Sequence, residues 1–190
     1  YKGSTGCIPT PAGSYSLARA TAPLECSPGS YSPSAGRANC TSCEPNTFQA
    51  ASGATACSSC SPGEFYQMSS GSCVDCPQGS YSVGSVDTCT LCVAGTYEDT
   101  TGATGCHACP VAYYCMEGSA APLPCPGGTT QPSSLSQPLT SGDQCVACPP
   151  GTWCSVGASA ATNCSAGTFN DLERQQACTP CAAGSYQDVE

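Results

Sequence analysis

Twenty cysteines are the residues of this 190-residue chain whose type and spacing could do chemistry. Seven times they stand as C-x-x-C: Cys40/Cys43, Cys57/Cys60, Cys73/Cys76, Cys89/Cys92, Cys106/Cys109, Cys145/Cys148 and Cys178/Cys181. Three chemistries use that spacing. Zinc ribbons take paired C-x-x-C as thiolate ligands. A thioredoxin-like redox pair needs a βαβ context, which is missing here. Structural disulfides are the third, and bonding inside a C-x-x-C would leave the longer loops between the pairs unclosed. A glycine–aromatic repeat, two glycosylation sequons and a low-charge surface rich in Ser and Thr speak against zinc. The cysteines read as structural disulfides.

Other chemistries lack their residues. Asp75, Asp87, Asp99 and Asp143 are spread singly with no D-x-D-x-D-G loop, so they read as solvated carboxylates and not as calcium ligands. His107 is the single histidine and lies between Cys106 and Cys109 with no partner acid or nucleophile in the sequence. No triad or metal cluster can be assembled around it. The expectation is a protein that is not an enzyme, with no catalytic, metal or cofactor-binding residues.

The composition has to be reconciled with folding. Leu, Ile, Val and Phe together supply 19 of 190 residues, about 10%, where a chain below about 20% normally stays disordered. Cysteine at about 10.5% points the other way, because it is in the range of a disulfide scaffold. Four Lys and Arg against 13 Asp and Glu leave no basic surface for nucleic acid. No run of 18 apolar residues is present, so no membrane span is expected. The first residue is Tyr1 and no signal segment follows it, which reads as a processed chain or a cut inside a longer one. Paired thiols need an oxidising compartment, and Asn39-Cys40-Thr41 and Asn163-Cys164-Ser165 are N-glycosylation sequons. The expected location is extracellular, at the cell surface.

The elements that must position the cysteines are repeats. Counting from Cys26, Cys43, Cys60, Cys76, Cys92, Cys109, Cys125, Cys148, Cys164 and Cys181 as position 0, position +3 is glycine except for Asn46 and Ala112. Position +5 is Tyr, Phe or Trp except for Thr130. Glycine allows the positive φ of a tight turn and Asn substitutes best, so Ala112 predicts a copy that turns differently. The aromatic is expected to lie over a neighbouring disulfide, in place of a core. The polar stretch that follows reads as the return of a short hairpin. No window has helical periodicity. The fold class is therefore small disulfide-rich repeats, an elongated rod of short β-hairpins and turns with almost no helix.

Spacing divides the chain. Residues 1–25 are a partial or atypical repeat, and 26–105 are short repeats of the form C-x12 or x13-C-x2-C. Residues 106–144 form a long repeat with an extra cysteine, 145–177 a second, and 178–190 the opening half of a further one. Cys106, Cys109, Cys115 and Cys125 recur 39 residues later as Cys145, Cys148, Cys154 and Cys164. Between them, residues 129–138 form a Ser/Thr/Pro-rich stretch. It reads either as a plain surface loop or as a site of O-glycosylation at Thr129, Thr130, Ser133 and Ser134. The small hydroxyl residue at +4 in eight copies, such as Ser30, Ser80 and Thr168, has the same two readings.

The segment Cys92-Val-Ala-Gly-Thr-Tyr97 through Gly105-Cys106-His-Ala-Cys109-Pro-Val-Ala-Tyr-Tyr-Cys115 resembles the ephrin-receptor-like cysteine-rich repeat. That repeat occurs in tandem in large surface proteins of algae and protists and is similar in style to TNF-receptor and EGF-like modules. The likeness extends from Cys7 to Glu190. It implies that each opening cysteine bonds the first cysteine of the next C-x-x-C, giving Cys26–Cys40, Cys43–Cys57, Cys60–Cys73, Cys76–Cys89, Cys92–Cys106, Cys125–Cys145 and Cys164–Cys178. The long repeats add Cys109–Cys115 and Cys148–Cys154, with Cys109–Cys125 as an alternative that would displace its neighbours.

Cys7 and Cys181 are left over. Joined end to start, the chain reads CAAGSYQDVE-YKGSTGC, close to CVAGTYEDTTGATGC at 92–106. The implied bond is Cys181 to Cys7 of the next unit, so the chain's partners are copies of itself, head to tail, in a filament that does not close. Two functions follow from different classes. One is a structural protein, the period of a disulfide-stabilised, glycosylated filament or surface appendage. The other is a receptor or adhesion ectodomain that binds a protein or glycan. Nine of 13 aromatics fill the repeat slot, and Arg19, Arg37 and Arg174 are scattered, so no binding hot spot is visible.

Overall fold

The structure is a computed structural model and describes residues 6–45, 47–84, 87–132 and 138–187. Tyr1, Asn46, Ser133, Ser134 and Glu190 lie outside the described residues. The chain forms two compact units, one of Tyr1–Cys76 with Ser82–Cys89 and the other of Pro77–Tyr81 with Thr90–Glu190. Among the described residues there are nine two-stranded antiparallel sheets. The one helical turn among them is a single 3-10 turn, Gly142–Gln144, capped by Ser141.

Eight of the nine hairpins begin at an opening cysteine. In the first unit the N–H of Ser30 donates to the carbonyl of Ser27 at 3.1 Å, and the Ser30 hydroxyl donates to the same oxygen at 2.8 Å. This closes a turn through Gly29, whose φ is 81°. Ser30–Tyr31 then pairs with Thr41–Ser42, in register Ser30↔Ser42. Copy after copy repeats the scheme, as in Ser80–Tyr81 with Thr90–Leu91 and Thr168–Phe169 with Thr179–Pro180. Hairpins of two residues a side cannot stand alone in water. They need fastening.

Three fastenings recur. A disulfide closes the hairpin, as between Cys26 and Cys40 with Cα atoms 5.8 Å apart. The next opening cysteine donates its N–H to the carbonyl at +3, as Cys43 to Gly29 and Cys164 to Gly151, both 2.9 Å. The N–H at +3 donates to the carbonyl at +6 of the following copy. Gly29 donates to Gln49 and Gly63 to Ser82 in the first unit, and Gly79 to Glu98 and Gly151 to Asn170 in the second, all at 2.8 Å.

Sulfur stands where a core would be. Cys26, Cys76, Cys92, Cys125 and Cys148 are fully buried. In the second unit Leu139 joins Cys125 and Cys145 in a small cluster that Tyr114 packs against.

Ala112 departs from expectation. Its φ is 66°, and Cys125 donates to its carbonyl at 2.8 Å, so the copy turns as the glycine copies do. A β-carbon in the left-handed region costs about 1–2 kcal/mol. Here the surrounding bonds fix the conformation, and the methyl is buried. The difference lies in its N–H, which donates to Oε1 of Gln131 at 2.9 Å instead of to a backbone carbonyl.

Glycine at +3 meets two different constraints. Gly151 has φ 78° and open space where a Cβ would sit, whereas a Cβ on Gly79 would overlap the carbonyl of Gly118. Gly151→Ala is expected to cost about 1–2 kcal/mol from backbone strain alone. Gly79→Ala is expected to cost roughly twice that, because backbone must also move. Thermal unfolding of the two oxidised variants checks this, and equal losses would overturn it.

Candidate functional site

The site in this chain is its set of crosslinks and the polar seam beneath them. Among the described residues nine disulfides are present: Cys26–Cys40, Cys43–Cys57, Cys60–Cys73, Cys76–Cys89, Cys92–Cys106, Cys109–Cys115, Cys125–Cys145, Cys148–Cys154 and Cys164–Cys178. None of them forms inside a C-x-x-C. Among the described residues no group of His, Cys, Asp or Glu is arranged to hold a metal ion.

The two short loops, Cys109–Cys115 and Cys148–Cys154, have a structural logic. Their second cysteines fall at +6 and are fully buried. In four other copies that same slot holds a buried polar side chain: Ser32, Ser82, Glu98 and Asn170. The sequence pattern at +3 and +5 passes over +6. A signal is present there, because +6 is polar or cysteine in every copy but one, where it is Tyr66.

Position +6 serves the turn that comes after it. Ser82 Oγ accepts from the N–H of Gly84 at 3.0 Å, and Gln49 Oε1 from that of Ala51 at 3.0 Å. Glu98 Oε1 accepts from both the N–H and the hydroxyl of Thr100, at 3.0 and 2.7 Å. Its other oxygen lies 3.6 Å from Nε2 of the exposed His107. The Thr100 hydroxyl and then its N–H hold the Glu98 carboxyl below the usual carboxylate range, burial opposes them, and the imidazole adds to the lowering. His107 thus has a carboxylate partner that sequence reading missed, because the two are brought together only by the pairing His107↔Tyr97.

The modification candidates divide. Asn39 and Asn163 are exposed, as are Thr41 and Ser165 of their sequons. Thr129 and Thr130 correct the expectation of O-glycosylation there. Both are buried, and their hydroxyls donate to the carbonyls of Pro126 at 2.6 Å and Ala158 at 2.8 Å. Position +4 behaves alike, since Ser80, Thr96, Thr152 and Thr168 each donate at 2.7 Å to the carbonyl three residues back. These hydroxyls lock turns.

Cys7 and Cys181 carry no disulfide; Cys7 is exposed and Cys181 half-buried. Cys181 still sits as an opening cysteine, its N–H donating to Gly167 at 2.9 Å, with Gly184 at φ 86°. Pro150, Thr152, Asn163, Phe169 and Asn170 line a shallow, open groove in the second unit.

Residues 29–72 and 79–121 match the family described as tyrosine-protein kinase ephrin type A/B receptor-like. These two segments are ephrin-receptor-like repeats in tandem. No curated protein matches it. Each matched segment of the repeat spans hairpins of the kind described above, 29–72 ending inside the loop closed by Cys60–Cys73. The disulfides and the repeat family mark an extracellular or secreted type of protein. Among the described residues no helix is long and apolar enough to cross a membrane.

The lowered Glu98 carboxyl predicts an acid-dependent contribution. A carboxyl depressed by folding stabilises above its unfolded value, near 4.5, and that contribution is lost as pH falls through the lower folded value. Glu98→Gln keeps an acceptor for Thr100 but cannot titrate. Between pH 6 and pH 3 its Tm is expected to fall less than the parent's; parallel curves would refute the assignment.

Proposed function

We propose that the chain is a structural protein, one period of an extracellular filament or surface appendage whose properties are length and chemical resistance. The observation that carries this is the pair Cys7 and Cys181, the cysteines without a disulfide among the described residues. Cys181 occupies an opening position and Cys7 precedes Thr10 as a closing cysteine precedes an opening one, so the two are complementary halves of one loop. A bond from Cys181 to Cys7 of the next period supplies the missing closure, either within one long polypeptide of tandem periods or between separate chains. Each period repeats the contact, and the array grows as a filament.

Bridges that close loops of about 15 residues contribute roughly 3 kcal/mol each by constraining the unfolded chain. Stability built this way is local to each hairpin, which suits a structure with no global core. N-glycans on Asn39 and Asn163 would add a hydrophilic coat. The protein has no catalytic role and needs no metal or cofactor. Its sole histidine is partnered to Glu98 in a turn, which supports a structural role for that residue.

A receptor or adhesion ectodomain is the second reading. The family description supports it, and the groove beside Asn163 and Phe169 is the place where a protein or glycan ligand would be sought.

Disulfide mapping of native, unreduced material separates the readings. A peptide with Cys181 bonded to Cys7 of another period is expected. With free ends at Tyr1 and Glu190 it means linked chains, and with Glu190 running into Tyr1 it means tandem periods. Cys7 and Cys181 bonded to unrelated sequence, or free, would overturn the array and favour the ectodomain. In the same digest, enzymatic removal of N-glycans is expected to convert Asn39 and Asn163 to Asp; unchanged Asn at both would remove the proposed coat.

A further inference from the structure

The N-terminal hairpin, Ser14–Tyr15 with Leu24–Glu25, has no disulfide, yet it has every other fastening of the repeat. Cys26 donates to the carbonyl of Gly13 at 2.9 Å, as Cys43 does to Gly29. Gly13, at φ 83°, donates to the carbonyl of Ser32 at 2.9 Å, as Gly29 does to Gln49. Gly36 donates to the carbonyl of Thr10 at 2.9 Å, the bond that Gly53 makes to the opening cysteine Cys26 at the same length. Thr10 is buried, as eight of the ten opening cysteines are.

The register completes the correspondence. In the copy closed by Cys60–Cys73, the paired residues Glu64↔Asp75 lie four after the first cysteine and two after the second. Ser14↔Glu25 stands in the same relation to Thr10 and Pro23. The separation from 10 to 23 equals the 13 of Cys60–Cys73, whose Cα atoms are 5.6 Å apart.

We propose that residues 10–25 are a complete copy of the repeat that has lost its disulfide, with Thr10 and Pro23 in the cysteine positions. We infer that this makes the Arg19–Ala20 bond the point where an arginine-specific protease severs the chain. Residues 6–25 form the longest described stretch that no disulfide loop encloses, against 116–124, 155–163 and 179–187. None of those three shorter stretches contains Lys or Arg. The other described arginines, Arg37 and Arg174, lie inside the loops closed by Cys26–Cys40 and Cys164–Cys178.

Arg19 is exposed at the hairpin tip but held at φ 65°, with Ala20 donating to Leu17 at 3.1 Å. A serine protease binds its substrate extended, so the tip must open before it is cut, and the rate follows the population of the open form. Without a crosslink the whole span can open. Water then adds across the amide, leaving a carboxylate on Arg19 and an amine on Ala20. The pieces separate without reduction, whereas a cut at Arg37 or Arg174 leaves them joined by a disulfide.

Limited trypsin digestion of the oxidised chain, read by peptide mapping and non-reducing electrophoresis, tests this. Cleavage after Arg19 is expected at least ~10-fold faster than after Arg37 or Arg174. In the double variant T10C/P23C the two new thiols are expected to pair, and the preference for Arg19 to vanish. Equal rates at the three arginines in the parent would overturn the cleavage point. Unpaired thiols at 10 and 23 in a folded variant would overturn the lost-disulfide copy. A preference that survives the new bridge would show that the missing crosslink is not its cause.

Discussion

Everything in this chain depends on short loops being closed covalently. A sequence with about 10% large aliphatic and Phe residues cannot offset the entropy of ordering by apolar burial. Closing a loop of about 15 residues removes that entropy from the unfolded chain instead. The buried interior then consists of the bonds themselves: opening cysteines are fully buried at Cys26, Cys76, Cys92, Cys125 and Cys148, while closing cysteines such as Cys40 and Cys89 are half-buried.

Covalent closure alone would leave a string of independent loops. The backbone bonds from position +3 turn it into a cooperative series, because each left-handed turn presents an N–H to one neighbour and a carbonyl to another. Gly151 illustrates both, donating to Asn170 and accepting from Cys164. The requirement is on backbone direction and not on side-chain identity. Ala112 can therefore occupy the turn at a cost in strain, with Gln131 supplying the acceptor.

Polar groups in such an interior have to be used. Among the described residues no buried side-chain nitrogen or oxygen lacks a hydrogen-bond partner. Small hydroxyls at +4 and polar side chains at +6 lock the turns on either side of each strand, which is why Thr129 and Thr130 are unavailable for glycans while Asn39 and Asn163 remain exposed. Cys7 and Cys181 are the cysteines without a disulfide among the described residues, and the filament reading rests on them.

The repeat, its turns at +3, its near-absence of helix and its extracellular chemistry were legible in the sequence, because spacing and residue type are local facts that recur in ten copies. The disulfide partners came from likeness to a family, since spacing permits many connectivities. The structure alone decided what depends on registration between copies. The N–H at +3 finds its acceptor 19 to 26 residues away, as Gly79 finds Glu98 and Gly128 finds Cys154, and nothing in a single copy announces it. For the same reason Glu98 and His107 meet only through strand pairing. The N-terminal copy keeps Gly13 at +3 and Tyr15 at +5 in the sequence, but that threonine and proline stand in its cysteine positions follows only from its hydrogen bonds and register, which join main-chain atoms that the sequence does not distinguish.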